Sequence, residues 1–217
     1  AYPTAQERLD NLNKLESLLK DNQQAIADAI NLDFGNRSNQ ETRVLEIYGL
    51  VSGCQYAKKR VKKWMRPQKR HVGISFLGAK NTVLPQPKGV VGIVTPWNYP
   101  LVLAFSPAIS ALSAGNRCII KMAAKSQNLA RLMDKLVASV FDYTTLAVIP
   151  GVSASEFTRQ RWDHLVFTGS PDTAKTVMST AAQNLTPVTL ELGGKSPTII
   201  TEDFDVDVAA ERLLFGK

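Results

Sequence analysis

Three short stretches hold the residue types that do chemistry, and each follows a short apolar run. The sharpest is Thr189-Leu-Glu-Leu-Gly-Gly-Lys-Ser196, which sets Glu191 at the end of an expected strand, directly before two glycines. A carboxylate at the rim of a partly dry cleft can be tuned as a general base. A strand-end glutamate paired with a neighbouring lysine, Lys195, accounts for the same letters. The second stretch is Pro96-Trp-Asn-Tyr-Pro100, a rigid loop in which the Asn98 amide could donate to a developing oxyanion and Trp97 could line a cleft. Turn chemistry and plain packing are the alternatives there. The third is Phe167-Thr-Gly-Ser170, where Gly169 and Ser170 open a helix straight after a strand. Free N–H groups and the helix dipole at such a place favour phosphate, although a tight turn without ligand uses the same residues. After Gly169 the next small residue is Ala174, so the spacing departs from Gly-x-Gly-x-x-Gly. Lys121 closes a further apolar run, where its ammonium could reach a ribose or phosphate or stand exposed. Ligands of open α/β sheets collect beyond the carboxyl ends of the strands, so these stretches point to one cleft.

Other chemistries find little support. His71 and His164 are the only histidines and form no helical metal-binding pair, so no metal is expected. There is no Gly-x-Ser-x-Gly elbow, and Gly194-Lys195-Ser196 lacks the first glycine of a phosphate loop. Cys54 falls within an expected helix and Cys118 within an apolar strand, where a small buried thiol is the usual case. Two cysteines argue for a reducing compartment, with cytoplasm the expected location. No apolar run approaches the roughly 20 residues that span a bilayer, so no membrane partner is expected. The net charge of +7 is concentrated between Lys58 and Arg70, in a chain with no acidic residue from Ile47 to Met133. Without interleaved aromatics or zinc-finger spacing, that run reads as a solvated helix face, with no nucleic-acid partner.

The elements that must position these residues begin as helices. Leu9, Leu12, Leu15 and Leu19 recur at helical spacing between Gln6 and Lys20, and a second helix is expected over Asn22–Leu32. A third opens at the capping box Ser38-Asn-Gln-Glu41 and runs to Pro67, with Val44, Ile47, Tyr48, Val51 and Val61 on its inner face. Residues 72–88 read as an extended excursion with paired strands. Strands are then expected at 90–94, 117–121, 145–149, 164–167, 187–192 and 196–201. Helices are expected at 101–113, 126–140 and 171–183, with a last one reaching Leu214 behind Asp203-Phe-Asp-Val-Asp207. This alternation predicts an α/β fold: N-terminal helices, then a Rossmann-like parallel sheet with helices on both faces. Residues 1–190 form one expected domain, and the Gly193-Gly194 junction suggests that 191–217 begins a second α/β domain.

Taken together, Gly89-Val-Val-Gly-Ile-Val-Thr-Pro-Trp-Asn-Tyr-Pro-Leu101, Phe167-Thr-Gly-Ser170 and Glu191-Leu-Gly-Gly-Lys195 resemble the aldehyde dehydrogenase superfamily in order and interval. Asp33-Phe-Gly-Asn-Arg-Ser38 and Lys63-Trp-Met-Arg-Pro67 look most like its coniferyl aldehyde dehydrogenase branch, near the class 3 enzymes. The resemblance implies NAD- or NADP-dependent oxidation of an aldehyde, aromatic or medium-sized, to the carboxylic acid through a cysteine thioester. It makes Glu191 the base for water and Asn98 the oxyanion donor. It sets Lys121 on the adenosine ribose and Gly169, Ser170 and Ala174 at the pyrophosphate turn, with Thr95, Trp97, Phe167 and Leu192 along the cofactor cleft. The 72–88 excursion becomes half of an oligomerisation arm, and the partner expected is a second copy in a homodimer. Three departures stand out, one of them Ala174 where the family usually has glycine. Ala124 replaces the glutamate that would grip the ribose hydroxyls, which removes a repulsion against a 2′-phosphate. The nucleophilic cysteine is expected beyond Lys217, so these residues alone would be inactive. A non-catalytic dinucleotide-binding module and a basic interaction protein that keeps only the fold are the rival readings.

Overall fold

The computed structural model describes residues 2–216. Thr4 and Glu7 close a capping box at the start of α1 (Ala5–Asp21), and helical spacing turns Leu12, Leu15 and Leu19 inward. Helix α2 (Gln23–Phe34) ends on Gly35, whose φ of 83° supplies the left-handed cap. The single helix expected from Ser38 to Pro67 is instead divided. It comprises α3 (Asn39–Glu41), a π-helical segment (Thr42–Tyr48), α4 (Gly49–Lys58) and, after a turn at Lys59 and Arg60, α5 (Val61–Trp64). A π turn takes more residues than an α turn, so the inward positions shift. Glu46, Ile47, Leu50, Cys54, Ala57 and Val61 are buried, whereas Val44 and Tyr48, expected inside, are exposed.

The excursion starts earlier than expected, at Gln68. Strands β1 (Gln68–Arg70) and β2 (Asn81–Val83) pair antiparallel, with a 3₁₀ turn at Ile74–Phe76 between them. Every residue from Gln68 to Arg70 and from Asn81 to Val83 is exposed.

The alternating part then forms as β3 (Val90–Val94), α6 (Pro100–Ser113), β4 (Arg117–Lys121), α7 (Gln127–Val140) and β5 (Leu146–Val148). It continues through α8 (Ala154–Thr158), β6 (His164–Gly169), α9 (Pro171–Ala182) and β7 (Val188–Leu192), and after an irregular stretch ends in α10 (Val206–Gly216). Helix α8, opened by a Ser153–Glu156 capping box, was not expected. The five strands from β3 to β7 are all parallel, in the order β5-β4-β3-β6-β7.

That order reverses between β3 and β6, and the helices change face with it. Helices α1, α2, α4, α6 and α7 pack in one core with Val91, Ile93, Cys118, Ile120 and Leu146. The opposite face carries Val94, Leu165 and Phe167 against Phe157, Trp162, Ala174 and Val177 of α8, the 162 turn and α9. The α/β fold with helices on both faces is therefore present. Over β6 and β7, however, the first face has no covering layer among the described residues, and Thr189 and Glu191 are exposed there. Parallel sheets are normally covered on both sides, so this bare strip opens a groove.

The strand expected at residues 196–201 does not form. Residues 193–200 form no regular secondary structure and are exposed, with Ile199 at 84%. A strand needs a neighbour for its ladder, and none lies beside this segment among the described residues. The acids ahead of α10 act as expected: the Asp205 carboxylate accepts the Val208 N–H at 2.9 Å. No described helix is long and apolar enough to cross a membrane.

Candidate functional site

The candidate residues stand near the carboxyl ends of strands, except Ala174, which lies in α9. Beyond β3 the chain runs through Thr95, buried and donating its N–H to the Lys121 carbonyl at 3.2 Å, into the Pro96–Pro100 loop. The Asn98 carbonyl accepts from Arg37 Nη1 at 2.6 Å, and the Asn98 amide, with no partner among the described residues, faces the groove. Trp97 is exposed in the same groove and packs its ring 6.0 Å from Phe34.

Helix α6 begins at Pro100 with no side-chain cap of its own. Glu46 supplies one from the π-helical segment, accepting the N–H groups of Leu101 and Val102 at 2.7 and 3.0 Å. Burial pushes the Glu46 carboxyl above its ordinary value, and those N–H groups with Arg37, 3.3 Å away, pull it back. Helix α7 is treated alike: both Asp33 carboxylate oxygens accept N–H groups, from Asn128 and Leu129, at 2.9 Å. Two of the three long helices that follow sheet strands thus have their positive ends filled by carboxylates from the N-terminal helices.

The third does not. Helix α9 is capped by its own Ser170, whose hydroxyl accepts the Thr173 N–H at 3.3 Å and shares a hydrogen bond with the Thr173 hydroxyl at 2.9 Å, and the one carboxylate in its first turn, Asp172, points to solvent beside Lys175. Ser170 is exposed, and Pro171 opens the helix. Gly169 is required here by close approach: a Cβ would lie 2.6 Å from the Phe167 ring. Ala174 is buried with Phe167, the small residue that brings α9 onto the sheet.

Parallel register sorts the remaining residues by face. Val94 stands opposite both Lys121 and Phe167, so those three side chains share the α9 face. Lys121 is only 7% exposed and has no ion-pair partner among the described residues, and its burial lowers the ammonium pKa. Glu191, opposite Thr168, lies on the other face and is exposed; Lys195 does not pair with it. A groove of about 1030 Å³ gathers Trp97, Asn98, Gly169, Ser170, Glu191 and Leu192. Lys121, Thr95, Phe167 and Ala174 lie behind that rim. The arrangement offers an amide donor and a carboxylate acceptor on one wall system, with a helix N-terminus between the two sheet faces.

Several residues here were not picked out by sequence reasoning. Arg37 and Glu46 fix the Asn98 loop, and the sequence pattern gave no signal for Glu46, which falls outside the inner face expected from Val44, Ile47 and Tyr48 and turns inward only in the π-helical segment. His164 lines the groove with Nδ1 3.1 Å from Lys88 Nζ and Nε2 2.8 Å from Thr189 Oγ1; burial and the Lys88 charge lower its pKa. Nδ1 therefore accepts from the Lys88 ammonium while Nε2 shares its hydrogen bond with the Thr189 hydroxyl. The two cysteines stay outside the site: burial pushes both thiols up to about 12. No cluster of metal-ligating side chains occurs among the described residues.

Comparison with known proteins gives a consistent picture. The model of the aldehyde dehydrogenase family matches residues 2–217. The chain is 47% identical over 217 residues to a probable coniferyl aldehyde dehydrogenase of Pseudomonas aeruginosa, covering 99% of this chain and 46% of that protein. It is 43% identical to a coniferyl aldehyde dehydrogenase of a Pseudomonas species, covering 97% and 44%. Among solved structures, the substrate-bound state of Staphylococcus aureus AldH superposes with a TM-score of 0.90 at 33% identity, over 98% of this chain and 47% of that one. The NAD+ complex of a Bacillus cereus aldehyde dehydrogenase gives 0.82 at 29% identity, over 96% and 43%. The chain spans about half the length of the curated relatives it matches.

Proposed function

The chain belongs to the aldehyde dehydrogenase family, and from that premise we propose that it is the dinucleotide-binding half of an enzyme that oxidises an aldehyde to its carboxylic acid. The observation that carries this reading is the contrast among helix starts. Glu46 and Asp33 occupy those of α6 and α7, whereas α9 presents its N–H groups beside Gly169 with no carboxylate from another element among the described residues. A pyrophosphate placed there gains the dipole and the backbone donors. Lys121, buried and with no anion beside it among the described residues, then meets the ribose side of the same ligand.

The roles follow from the faces. Bound dinucleotide supplies the hydride acceptor. The Asn98 amide donates to the oxyanion that forms when a thiolate adds to the aldehyde carbon. Glu191, open to solvent at the rim, takes a proton from the water that hydrolyses the resulting thioester. The thiolate comes from outside these 217 residues, since Cys54 and Cys118 are buried and protonated at neutral pH. Residues 1–190 serve the dinucleotide, and 191–217 lead into the catalytic part, which would cover the bare strip over β6 and β7.

The finer assignments rest on particular residues. Ala124 is exposed where the resemblance expects a ribose-gripping glutamate, and Lys125 beside it adds a cation, so both NAD and NADP are accepted. The relatives named for coniferyl aldehyde support an aromatic aldehyde as substrate. The exposed Ile74, Phe76 and Leu77 at the tip of the β1–β2 hairpin support a homodimer built through that arm. Calorimetric titration of the complete protein with NAD and with NADP, followed by an assay with coniferyl aldehyde, tests the reading. Binding of either dinucleotide with turnover is expected; no binding at millimolar concentration overturns it.

A further inference from the structure

We propose that Arg37 and Glu46 are positioning residues for Asn98, a buried ion pair that anchors the Pro96–Pro100 loop on both sides. The chemical meaning of the proposal rests on the dehydrogenase reading, while its geometry stands on contacts within this chain. Arg37 holds the loop at the Asn98 carbonyl, 2.6 Å away, and Glu46 holds it three and four residues on, at Leu101 and Val102. Their side chains are 5% and 0% exposed. The Arg37 guanidinium is also flanked by the rings of Phe34 and Tyr99, at 4.8 and 4.6 Å.

A simple cap does not require this. Elsewhere the chain caps helices without burying an ion pair, locally with Ser38 for α3, Ser153 for α8 and Ser170 for α9, and from a distance with the half-exposed Asp33 for α7. At α6 it instead buries two charges, an arrangement that is costly unless fully paired. It also departs from regular helix in the segment that carries Glu46, as helices often do near functional sites. The division of labour at Asn98 explains the cost. Its backbone is pinned by a neighbour 61 residues away, and its side-chain amide is left unspent in the groove. An oxyanion donor on a loop needs such external anchoring, because errors near 0.5 Å in its position already cost rate.

The test uses the complete dehydrogenase with Arg37→Lys and Glu46→Gln, each alone and combined with Asn98→Ala. Each single variant should lower kcat on the order of tenfold, part of what loss of an oxyanion donor costs, with the KM for dinucleotide changed less than about twofold. Amide exchange across residues 96–102 should quicken while that of α9 stays fixed. In the Asn98→Ala background the kcat effect should vanish, which a merely structural role would not produce. Unchanged kcat, or an equal loss with and without Asn98, overturns the proposal. Arg37→Lys keeps the charge beside Glu46 and carries the test should Glu46→Gln not fold. Unchanged exchange at 96–102 removes the anchoring whatever the activity. Quickened exchange in a protein whose wild type oxidises no aldehyde removes the dehydrogenase reading, and with it the pair's role in catalysis.

Discussion

Glu46 and Leu101 are 55 positions apart in the chain, and the Glu46 carboxylate accepts the Leu101 N–H at 2.7 Å. Asp33 and Leu129, 96 apart, are joined the same way at 2.9 Å. The N-terminal helices are thus more than a cover for the sheet. They reach over it to cap both helices that follow β3 and β4, and so set where the loops at those strand ends can lie.

The two caps differ in burial, which separates the consequences of removing them. Glu46→Ala removes the acceptor of two helix N–H groups and leaves the buried Arg37 with only the more exposed Glu41 as counter-ion, a loss of up to about 3 kcal/mol. Asp33→Ala, at a half-exposed site, removes a cap alone and should cost about 1 kcal/mol. Urea denaturation of the two variants should show this order, and equal losses would mean that the Arg37 pair adds nothing.

Glu16 gives a pH signature. Burial pushes its carboxyl up, but hydrogen bonds from Lys20, Lys58 and Gln55 outweigh that and hold it at about 2, against 4.5 in the unfolded chain. A depressed carboxyl stabilises the fold fully above the unfolded value, and that contribution is lost as pH falls toward 2. Glu16→Gln should therefore lower stability at pH 7 by about 2 kcal/mol, allowing for the half-exposed Lys20, and flatten the decline between pH 4.5 and 2. Parallel wild-type and variant profiles across that window would contradict the pairing.

The cysteines should be silent in the native protein. Cys54 and Cys118 are 0% and 1% exposed, with thiols pushed up to about 12. At pH 8 neither should react with an aromatic disulfide reagent over a time in which both react in denaturant. Rapid native labelling of either would show that the core around α4 or β4 opens.

How much of this could be read in advance depended on how local its cause was. The runs at Val90, Arg117 and His164 alternate with helix patterns at short range, and β3, β4 and β6 form there. The strand-end placement of Asn98, Lys121, Ser170 and Glu191 followed from the same local pattern. The segment at residues 196–201 has strand composition, but a strand depends on a neighbour that no local pattern supplies. Val44 and Tyr48 were misplaced because a π turn shifts the helical phase, and nothing in residues 38–67 marks where that shift occurs. The Arg37–Asn98 and Glu46–Leu101 contacts span 61 and 55 positions, beyond any periodicity.

Gly169 should resist even the smallest side chain. Its Cβ would sit 2.6 Å from Phe167 Cζ, and Phe167 is itself 4% exposed beneath Ala174 and Val177. Gly169→Ala must displace the ring or the turn, at about 1–3 kcal/mol of stability. Dinucleotide affinity should fall as well, because the turn and the α9 N-terminus move together. A stable variant with wild-type affinity would separate that turn from the binding site.

Lys121 allows a test in which structural and functional roles predict opposite signs. The side chain is 7% exposed, opposite Val94 in the row that continues to Phe167, and no carboxylate pairs with it among the described residues. Burial lowers its pKa, so the charged ammonium is disfavoured at this position. A group kept for stability would be paired; an unpaired buried cation makes sense where an anion or a ribose hydroxyl arrives from outside. Lys121→Met, which keeps the stem, should therefore leave Tm unchanged or raise it. The same variant should weaken dinucleotide binding about tenfold, by about 1–2 kcal/mol for one charge-assisted hydrogen bond. A fall in Tm with unchanged affinity would make Lys121 a structural residue and take the ribose contact away from β4.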